Sequence, residues 1–542
     1  MNISLTDRLV IFNNKTAKHF TALLLVVLIS GNLAAQFPNP DAATLFSRSS
    51  VGGTASSAGA GGAFSSVGGD LGSLSLNPAG LGLYKTSDIS ITPGLKISAD
   101  RSTYNGNTMN TIQPGINIAQ AGAVLTKKLA KGPLKSYTLG VNYTTENFFY
   151  RNQNFGSYNT TNSLIDNYVY VYNHGQSPAA SLDAALLNYV NILGYNSTTG
   201  VFNSNIKTPV LQSGFLNTRG SNSNISLGFG ANVWDKLYFG VSIAVPILNY
   251  TVNTQMQETN PNQTDSTNHF QSYVLNSSVN ESGEGFTGNI GLIYQPTSWM
   301  RFGVSYGLPT WYFLSENSNS ALQFSFDSTG YGAIPTQVGI PFTYRLRLPM
   351  KGVVGASFYF AEKSFFSVDY EFQNAGSTHY SIPNDSVQLS SAYNNYIKST
   401  YTYVHTLKAG IQGAYKKLRL RAGYSYISSP FKSGQNYMLQ YGSQYSQYNE
   451  SVHTATAGLG VAFKNFYIDL AYVFTYTKDG LSPNFQALQV PLDLINSTYM
   501  THSVLLTLGI KIPAKGADKS SSQPKRRSGD QLPKNLDPDN KY

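Results

Sequence analysis

The segment VLLTLGIKI, Val504–Ile512, alternates between two kinds of side chain along its whole length. Valine, leucine and isoleucine occupy every second position from Val504 to Ile512. The positions between them carry Leu505, Thr507, Gly509 and Lys511. Successive side chains of a β-strand point to opposite faces. The segment is therefore predicted to be a strand with one apolar face and one mixed, partly polar face.

The same alternation recurs through most of the chain. It is found in Leu237–Ile247, Met300–Tyr306, Phe366–Phe372, Leu418–Tyr424 and Phe466–Phe474. A period of two over so many segments is a strong strand signal. It predicts an all-β fold that runs from Thr86 to Ile512, but it does not distinguish a membrane barrel from a soluble sandwich, whose strands alternate too.

The connections between these strands favour a barrel. Very short turns lie at Trp234–Lys236, Gln295–Trp299, Ala361–Ser364, Tyr415–Lys417 and Phe463–Asn465. Long polar loops lie between them, at Gly156–Asn217, Thr251–His269, Ser315–Tyr344, Asn374–Thr400, Ser429–Glu450 and Lys478–Tyr499. Short periplasmic turns and long external loops alternate in outer-membrane barrels. We predict a closed transmembrane antiparallel β-barrel of about fourteen strands, with a soluble sandwich as the alternative.

Composition agrees with a barrel and excludes several functional classes. Charged residues make up 12% of the chain, about half the usual globular share. There are 38 tyrosines and no cysteine, which excludes a disulfide scaffold, a cysteine-ligated zinc site, a thiol nucleophile and a lipoprotein anchor. The net charge of +10 is concentrated near the two ends and in short turns. Nucleic acid is therefore not predicted as a partner.

Three segments lie outside the predicted barrel: two before its first strand and one after its last. Residues 1–35 have a basic start and an apolar run, Phe20–Ile29, which is too short to span a bilayer. We predict a signal peptide cleaved after Ala35, with an uncleaved anchor as the alternative. Residues 36–85 are rich in Gly, Ala and Ser and are predicted to form an N-terminal hatch. Residues 513–542 are predicted to be a disordered periplasmic tail.

Charged residues of the predicted strands share one parity, so their side chains are expected to line the lumen. They are Arg301, Asp369, Glu371, Lys408, Arg419, Arg421, Asp469 and Lys511. An ionised side chain that faces lipid costs a few kcal/mol, roughly 2–4 at the midplane for Arg or Lys. Two roles are open for this set: a ladder of ion pairs that anchors a plug, or a lining that guides an anionic headgroup.

The first long loop contains a predicted helix, Ser177–Leu193. Ser177 can cap it, and Pro178 suits its first turn. One face is apolar and carries Leu182, Leu186, Tyr189 and Leu193. The helix is expected either to lie against the barrel rim or to form an external groove for a hydrophobic ligand.

We predict neither catalysis nor a bound cofactor or metal. The sequence GVSYG, Gly303–Gly307, matches a serine-hydrolase pattern, but that motif requires a strand–turn–helix context. Here it lies in the middle of a predicted strand. The seven histidines form no metal-like cluster. Three of them, His405, His453 and His502, begin alternate late strands on the lipid-facing parity, where headgroup phosphates are expected.

One stretch carries a family resemblance: GGDLGSLSLNPAGLGLYKTSDISITPGL, Gly68–Leu95. Its Asn77-Pro78-Ala79 triplet, followed by Gly80 and the first barrel strand, resembles the NPA motif of FadL-type outer-membrane transporters for long-chain fatty acids and other hydrophobic compounds. The late-strand segments Arg301–Thr310 and Gly458–Tyr472 are also similar to that family. The resemblance implies a fourteen-stranded barrel closed by a hatch, with Asn77 to Gly80 acting in the hatch or its gating.

The resemblance also implies a route and a set of partners. Ligand would leave sideways through a kink in the third strand, which by spacing is Lys135–Phe155 and contains neither a proline nor a pair of glycines. The leading hypothesis is passive uptake of a hydrophobic small molecule by a monomer in the cell outer membrane of a Gram-negative bacterium, in contact with membrane lipid and lipopolysaccharide. The second is an adaptor that holds a secretion partner, as in type IX secretion. A lipid-modifying enzyme ranks third. Asn77 is expected to pin the hatch through inward groups such as Arg419 and Arg421.

Overall fold

The structure is a computed structural model. It describes residues 42–48, 50–173, 186–188, 190–261, 270–326, 330–339, 341–361, 363–383, 389–432, 450–481 and 495–513. Nearly all of this part of the chain belongs to one large antiparallel sheet. The predicted signal peptide, the cleavage site after Ala35 and all of the predicted tail beyond residue 513 lie outside the described residues.

Twenty strands are described. They are β1 Ser87–Tyr104, β2 Asn107–Lys128, β3 Leu134–Asn159, β4 Leu193–Asn196, β5 Val201–Ser204, β6 Val210–Val233, β7 Leu237–Thr259, β8 Phe270–Thr297, β9 Met300–Gly307, β10 Thr310–Phe326, β11 Gly330–Val338, β12 Phe342–Leu348, β13 Lys351–Ala361, β14 Ser364–Asn374, β15 His379–Ser381, β16 Tyr403–Tyr415, β17 Leu418–Ile427, β18 Val452–Ala462, β19 Phe466–Leu481 and β20 Ile495–Ile512.

These strands form a closed barrel of fourteen membrane-crossing units, some of which consist of two consecutive strands. We call each unit a stave. Two staves are interrupted by proline-containing breaks, one between β9 and β10 at Pro309 and one between β12 and β13 at Pro349. Strands β4 and β5 form a separate hairpin, and β11 and β15 are additions at the outer end. The barrel closes where β1 pairs antiparallel with β20, from Ser87 opposite Ile512 upward. The prediction of a closed antiparallel barrel of about fourteen strands with an N-terminal plug is confirmed.

The two faces of the wall differ as the alternation predicts. In β20, Leu508 is 45% exposed on the outside, whereas the neighbouring Thr507 is fully buried on the inside. Exposed Ile, Leu, Val, Phe and Tyr side chains form an apolar outer surface around the barrel, as expected for strands that cross an outer membrane. Within the described ranges, no helix has the length and apolarity needed to cross a membrane.

Several strands are longer than predicted. Strand β3 extends to Asn159 and β6 begins at Val210, although residues 156–217 were predicted to be a loop. Strands β10 and β11 form a hairpin inside the predicted loop Ser315–Tyr344. These extensions are rich in Ser, Thr, Asn and Gln on both faces. They lie beyond the apolar band, where water can solvate both faces, so apolar alternation disappears while strand pairing continues.

The hatch lies inside the barrel and consists of short elements: helix α1 Ala42–Ser47, helix α2 Ala55–Gly59, helix α3 Ser73–Leu76 and a 3-10 helix, Pro78–Leu83. Serine and threonine hydroxyls of the wall bond to its backbone. Ser242 donates to Leu74 O at 2.8 Å, and Ser305 donates to Leu76 O at 2.7 Å. Buried backbone groups need such partners, and the wall supplies them without a sheet ladder.

Inward-facing glycines of the wall allow the hatch to approach closely. At each of these positions a Cβ would contact hatch atoms; we call the set the glycine girdle. Its members are Gly230, Gly240, Gly291, Gly303, Gly355, Gly410, Gly423 and Gly458. Several are direct cross-strand neighbours, such as Gly230 with Gly240 and Gly410 with Gly423. The girdle follows the wall through successive staves and fits the hatch by removing side-chain volume.

Filling one girdle position should displace the hatch without opening the barrel. In Gly410→Val, the new Cβ would lie 3.0 Å from the Ala60 carbonyl carbon and closer still to its oxygen. Overpacking of this kind costs about 1–3 kcal/mol or more. We expect the variant to migrate as a folded, heat-modifiable barrel whose hatch is cleaved faster by protease. Gly413→Val on the same strand is the matched control, because a Cβ there meets nothing within 4 Å. Equal hatch protection in both variants would contradict the role of the girdle.

Candidate functional site

The Asn77–Gly80 motif forms a capped turn against the wall. The Asn77 side-chain oxygen accepts from Ala79 N at 3.1 Å and so caps the 3-10 helix, and Pro78 occupies its first turn. Ala79 is fully buried and packs with Tyr238 and Ile293 of the wall. Gly80 lies against Gly68 and Ser73, where a Cβ would not fit. Each of the four residues therefore has a local structural reason for its type.

The Asn77 amide nitrogen links two parts of the hatch to each other and to β8. It donates to Ser65 O at 2.7 Å and to Leu292 O at 3.4 Å. The prediction that Asn77 is held by Arg419 and Arg421 is wrong, because neither arginine contacts Asn77. Asn77 lies against Gly291 of the girdle, so its amide meets backbone carbonyls, and the arginines occupy strand β17 on another part of the wall.

Asn77→Ala should loosen the hatch while leaving strand pairing intact. The change removes the cap on Ala79 and both amide donations, and it leaves buried carbonyls short of a partner. The local loss is roughly 1–3 kcal/mol. We expect a normally inserted barrel with raised single-channel conductance in planar bilayers. Asn196→Ala, on the exposed hairpin formed by β4 and β5, is a control that should conduct as wild type. Unchanged conductance in Asn77→Ala would show that the motif does not hold the plug.

The eight predicted lumen charges have inward-facing side chains with distinct partners. Asp369 accepts from Ser65 N at 2.8 Å and from Ser65 Oγ at 2.6 Å. Arg301 donates to Val67 O at 2.9 Å. These two therefore bond the wall directly to the hatch. Glu371 pairs with Lys408 at 3.0 Å, and Arg421 pairs with Asp469 at 2.5 Å.

The two remaining charges, Arg419 and Lys511, line a vestibule at the end of the barrel that carries the short turns. This vestibule has a volume of about 730 Å³ and lies below the hatch. Basic side chains outnumber acidic ones around it: Lys85, Lys128, Lys135, Arg301, Lys363, Arg419, Arg421 and Lys511 face Asp70, Asp88, Asp235 and Asp469. The two roles considered for the charged set are thus separated in space, with hatch anchoring at mid-height and a basic lining below it.

On the other side of the hatch, the lumen is aromatic. We call this region the upper chamber. Its buried residues are Phe149, Leu248, Tyr250, Tyr312, Leu314, Tyr344, Leu346, Tyr380, Tyr393, Ile397, Tyr401 and Val404. The hatch enters it through Phe46, whose ring lies 5.8 Å from that of Phe149 and 5.3 Å from that of Tyr250. Aromatic side chains therefore line the lumen at this level, and the hatch residue Phe46 packs among them.

Two helices that the sequence analysis did not predict lie in the external loops, and one of them covers the upper chamber. Helix α4, Asp166–Asn173, lies in the first external loop, and helix α5, Leu389–Thr400, lies in the predicted loop Asn374–Thr400. Helix α5 places Tyr393, Tyr396 and Ile397 against the chamber. Their spacing of three and four residues is the signal that could have identified an amphipathic helix.

A cavity of about 180 Å³ lies between the hatch and the upper chamber. Its apolar lining includes Phe46 of the hatch, Tyr312 of the chamber and Leu348 of β12. Its polar lining includes Thr145 and Glu146 of β3 and the charged side chains of Arg48, Lys351, Glu371 and Lys408. A cavity of ~150 Å³ is large enough for a molecule the size of benzene. This space connects the aromatic region to the point where β3 departs from its neighbour β2.

The ladder between β2 and β3 covers only the half of these strands near the short turns. It runs from Lys128 opposite Ser136 to Gln120 opposite Thr144. Beyond that point, residues 107–119 and 145–159, all within the described part of the chain, form no ladder with each other, although β2 still pairs with β1 and β3 with β6. We call this unpaired stretch the seam. A register shift between Thr145 and Asn147 marks its start, and such a bulge bends a strand.

Side chains bridge the seam in place of backbone pairs. Lys96 of β1 donates to Phe148 O at 2.8 Å, and Asn107 of β2 donates to Gly156 O at 2.6 Å. The Ser98 hydroxyl donates to Tyr150 O. Strand β3 therefore leans into the lumen behind β2, across to β1. On the seam, the stacked rings of Phe148 and Tyr150, 5.3 Å apart, lie against Gly115 of β2.

Arg151 holds the leaning part of β3 to the opposite side of the seam. Its guanidinium bonds Asp100 of β1 at 2.7 Å and Asp479 of β19 at 2.5 Å. It also donates to Ser497 at 2.9 Å and lies over the Tyr499 ring at 4.6 Å. The implied kink in the third strand is therefore present as a bulge with an inward lean, and no proline or glycine pair is needed for it.

The predicted external groove falls on a packed cluster. Leu182 and Tyr189 lie outside the described residues. Leu186 and Leu193 are buried with residues of β7, β8 and β10. Leu193 begins β4, so the predicted helix does not extend to it. Its side chain packs inward because the loop folds back on the outer ends of the strands, so neither described leucine lines an open groove.

The external cluster is fixed by a capping carboxylate and by a buried one. Asp166 accepts from Ser163 N at 2.9 Å, and burial raises the pKa of Asp166 above its usual value. Glu258 accepts from Leu164 N at 2.8 Å and from the Ser163 hydroxyl at 2.7 Å. The loop is thereby held as a compact cap on the rim.

The GVSYG sequence has no elbow geometry. It ends strand β9, and the Ser305 hydroxyl donates to Leu76 O. Among the described side chains, no three of His, Asp and Glu are grouped as metal ligands.

Comparisons with known proteins give fold-level similarity. No family model and no curated protein sequence matches the chain. Three solved structures that are similar to it are the toluene transporter TodX from Pseudomonas putida, a FadL homologue from Pseudomonas aeruginosa and the toluene transporter TbuX from Ralstonia pickettii. In fold, the chain is similar to FadL-type barrels.

These similarities extend over most of each chain but are distant in sequence. For TodX the identity is 14%, with 85% of this chain and 99% of that chain covered and a TM-score of 0.48. For the FadL homologue the values are 12%, 86%, 99% and 0.48, and for TbuX 15%, 85%, 99% and 0.43. At these values they do not by themselves assign an activity.

Proposed function

We propose that this chain is a passive outer-membrane channel for hydrophobic small molecules, long-chain fatty acids among them. The observation that carries the proposal is the continuity of three regions. The aromatic upper chamber adjoins the cavity at Phe46 and Tyr312, and that cavity reaches β3 at Thr145, where the seam begins. An apolar molecule would pass from the aromatic chamber through this cavity, whose lining also carries charged side chains such as Arg48, Lys351 and Lys408, and would leave sideways into the membrane.

Physical chemistry favours a sideways exit over passage straight through the barrel. Below the hatch, the vestibule is lined by charged side chains, so an apolar molecule there would stay in contact with water and would not gain the roughly 25 cal/mol per Å² that burial of its surface provides. Sideways, it would enter lipid. The wall can open there because side-chain bonds, worth only about 0.5–1.5 kcal/mol each when neutral, replace the ladder.

The Asn77–Gly80 turn and the hatch have a role in this proposal. They close the lumen to water and ions at mid-height while leaving the cavity above accessible. The inward charges that bond the hatch, Asp369 and Arg301, hold the plug in register. The basic vestibule would act on an anionic headgroup only after that headgroup reaches the periplasmic side.

A direct uptake assay tests the proposal. Cells that lack their own hydrophobic-compound channels would express the chain and would be given radiolabelled oleate or toluene at matched surface levels of protein. We expect faster uptake of both probes than in cells with an empty vector, and no faster uptake of a hydrophilic sugar. Equal uptake with and without the protein would overturn the proposal.

An adaptor for secretion or surface assembly is the second candidate, and one observation favours it. The described part of the first external loop packs on the outer ends of the strands, and its β4–β5 hairpin presents Tyr195, 54% exposed, and Val201, 46% exposed, to the outside. Such a rigid apolar surface suits a protein partner. In that case, deleting residues 193–204 would abolish a surface-assembly phenotype while leaving hydrophobic uptake unchanged.

A further inference from the structure

Three tyrosine–histidine pairs repeat on the outer surface of the barrel. In each pair, a phenol oxygen lies within hydrogen-bond distance of an imidazole Nδ1 on the neighbouring strand. The pairs are Tyr370–His405 at 2.7 Å, Tyr424–His453 at 2.7 Å and Tyr472–His502 at 2.6 Å. The histidines belong to β16, β18 and β20, so each lies two strands from the next, about 10 Å apart.

The three histidines lie at the same depth relative to the membrane. His405 precedes Tyr415 by ten positions, His453 precedes Phe463 by ten, and His502 precedes Ile512 by ten; these three later residues mark the ends near the short turns. Ten residues of strand span roughly 33 Å. At a tilt of 35–45° this becomes about 25 Å, the height of the apolar band. The imidazoles therefore form a row at the outer edge of that band.

The phenol contact determines what each imidazole offers to its surroundings. If Nδ1 accepts the phenol proton, the neutral ring carries its own proton on Nε2. If the ring is charged, both nitrogens carry protons. In both of these states Nε2 on the far side of the ring is a donor, and it is an acceptor when a neutral ring instead donates from Nδ1 to the phenol oxygen. An anion next to Nε2 favours the two donor states. In His453 this atom lies 3.3 Å from the Ser451 hydroxyl, so that donor is shared with a neighbouring hydroxyl.

The described outer wall around the row carries positive charge and no negative charge. At the described outward-facing strand positions from β12 through β20 to β1 there is no carboxylate, whereas Arg345, Arg347, Lys478 and Arg101 are present there. Glu284, on β8, lies beyond this arc. At the described strand positions of this arc, an anionic group that reaches the row therefore meets donors and positive charge and no carboxylate.

We propose that this row of histidines binds the phosphorylated headgroup of lipopolysaccharide in the outer leaflet. Donors repeated at about 10 Å along a line suit a headgroup that bears more than one phosphate better than a phospholipid with one. The outer edge of the band, on the side of the long loops, is where such a headgroup lies. Binding there would fix the rotational and vertical setting of the barrel, independently of what passes through it.

The test is lipid binding by the purified full chain in detergent, followed by native mass spectrometry. The probes are diphosphoryl lipid A, monophosphoryl lipid A and phosphatidylglycerol. We expect wild type to prefer diphosphoryl lipid A, and His405→Gln/His453→Gln/His502→Gln to bind it about tenfold more weakly. His379→Gln is the matched control, because His379 is also exposed near the rim, next to Arg347 rather than a tyrosine.

Three results would overturn the proposal. One is wild-type affinity for diphosphoryl lipid A in the triple variant. Another is an equal loss in His379→Gln, which would show a general effect of rim charge. The third is equal binding of phosphatidylglycerol and diphosphoryl lipid A by wild type, which would show a site for any lipid phosphate. Heat-modifiable mobility checks folding, and the three single variants replace the triple variant if it does not fold, each then being expected to show part of the loss.

Discussion

Cross-linking β2 to β3 across the seam should stop uptake of hydrophobic probes without unfolding the barrel. The change is Gly115→Cys/Tyr150→Cys, joined by a short reversible thiol cross-linker. A Cβ at position 115 would lie 2.8 Å from the Tyr150 ring, so the two sulfurs would face each other across the gap. The chain has no cysteine of its own, so the reagent forms only this bridge.

The expected size of the effect follows from the route. If the seam is the exit, a covalent bridge holds β3 against β2 and no apolar molecule can pass between them. Uptake of toluene and oleate should therefore fall to the level of cells without the protein and should recover after reduction. The same double variant before cross-linking provides the reference, because it has already lost the Tyr150 ring.

A second cysteine pair provides the matched control. Leu125→Cys/Leu139→Cys lies on the same two strands, in the part where they already form a ladder and where Leu125 is the direct partner of Leu139. A bridge there restrains nothing that was free, so uptake should not change. If the seam bridge leaves uptake intact as well, the ligand leaves elsewhere and the lateral route is wrong.

The period of two predicted the strands, because every membrane-spanning strand must separate a lipid face from a lumen face, and the alternation of short turns with long loops predicted the barrel. Val504–Ile512 shows this directly: its even positions are exposed outside and Thr507 is buried inside. Above the membrane that constraint ends, which explains why β3 and β6 run far into what was predicted to be a loop. The alternation reports the solvent around a strand, and its absence does not mark the end of the strand.

The seam could not be predicted from composition. It depends on a single extra residue in β3 between Thr145 and Asn147, in a stretch whose side chains are ordinary strand formers. The partners that replace the ladder, Lys96 and Asn107, come from two other segments. A bulge is defined by how two strands pair, so its position can be identified only when the register of the pair is known.

The glycine girdle, by contrast, left a trace in the sequence. Gly303, Gly355 and Gly410 all lie on inward parities of strands whose other inward positions include polar residues such as Ser305, Ser357 and Lys408. Read beside the glycine-rich hatch, this pattern indicates close backbone approach. The prediction that Arg419 and Arg421 contact Asn77 was wrong for a related reason. These arginines were chosen because their parity places them inside the barrel, and parity does not show which strand faces which part of the hatch.

Deleting Phe37–Gly72 should convert the plugged barrel into an open pore. Strand pairing does not use the hatch, since β1 closes directly on β20, so the variant should still insert. The deletion removes the hatch residues that lie against the girdle from Gly303 to Gly458, and it removes Ser65, the partner of Asp369. With these glycines facing the lumen, water and ions enter.

The expected increase in conductance is large, roughly tenfold or more over wild type, because a barrel of this size without its plug approaches the water-filled lumen of porins. Hydrophilic antibiotics too large for wild type should enter cells that carry the variant, and the preference for hydrophobic probes should be lost. Removal of residues 514–542 is the control and should change neither property. If hatch-deleted protein at matched surface levels stays closed to ions, the upper chamber itself is the barrier. Tyr312, Tyr344 and helix α5 would then seal the lumen above the cavity, and the seam would be its only outlet.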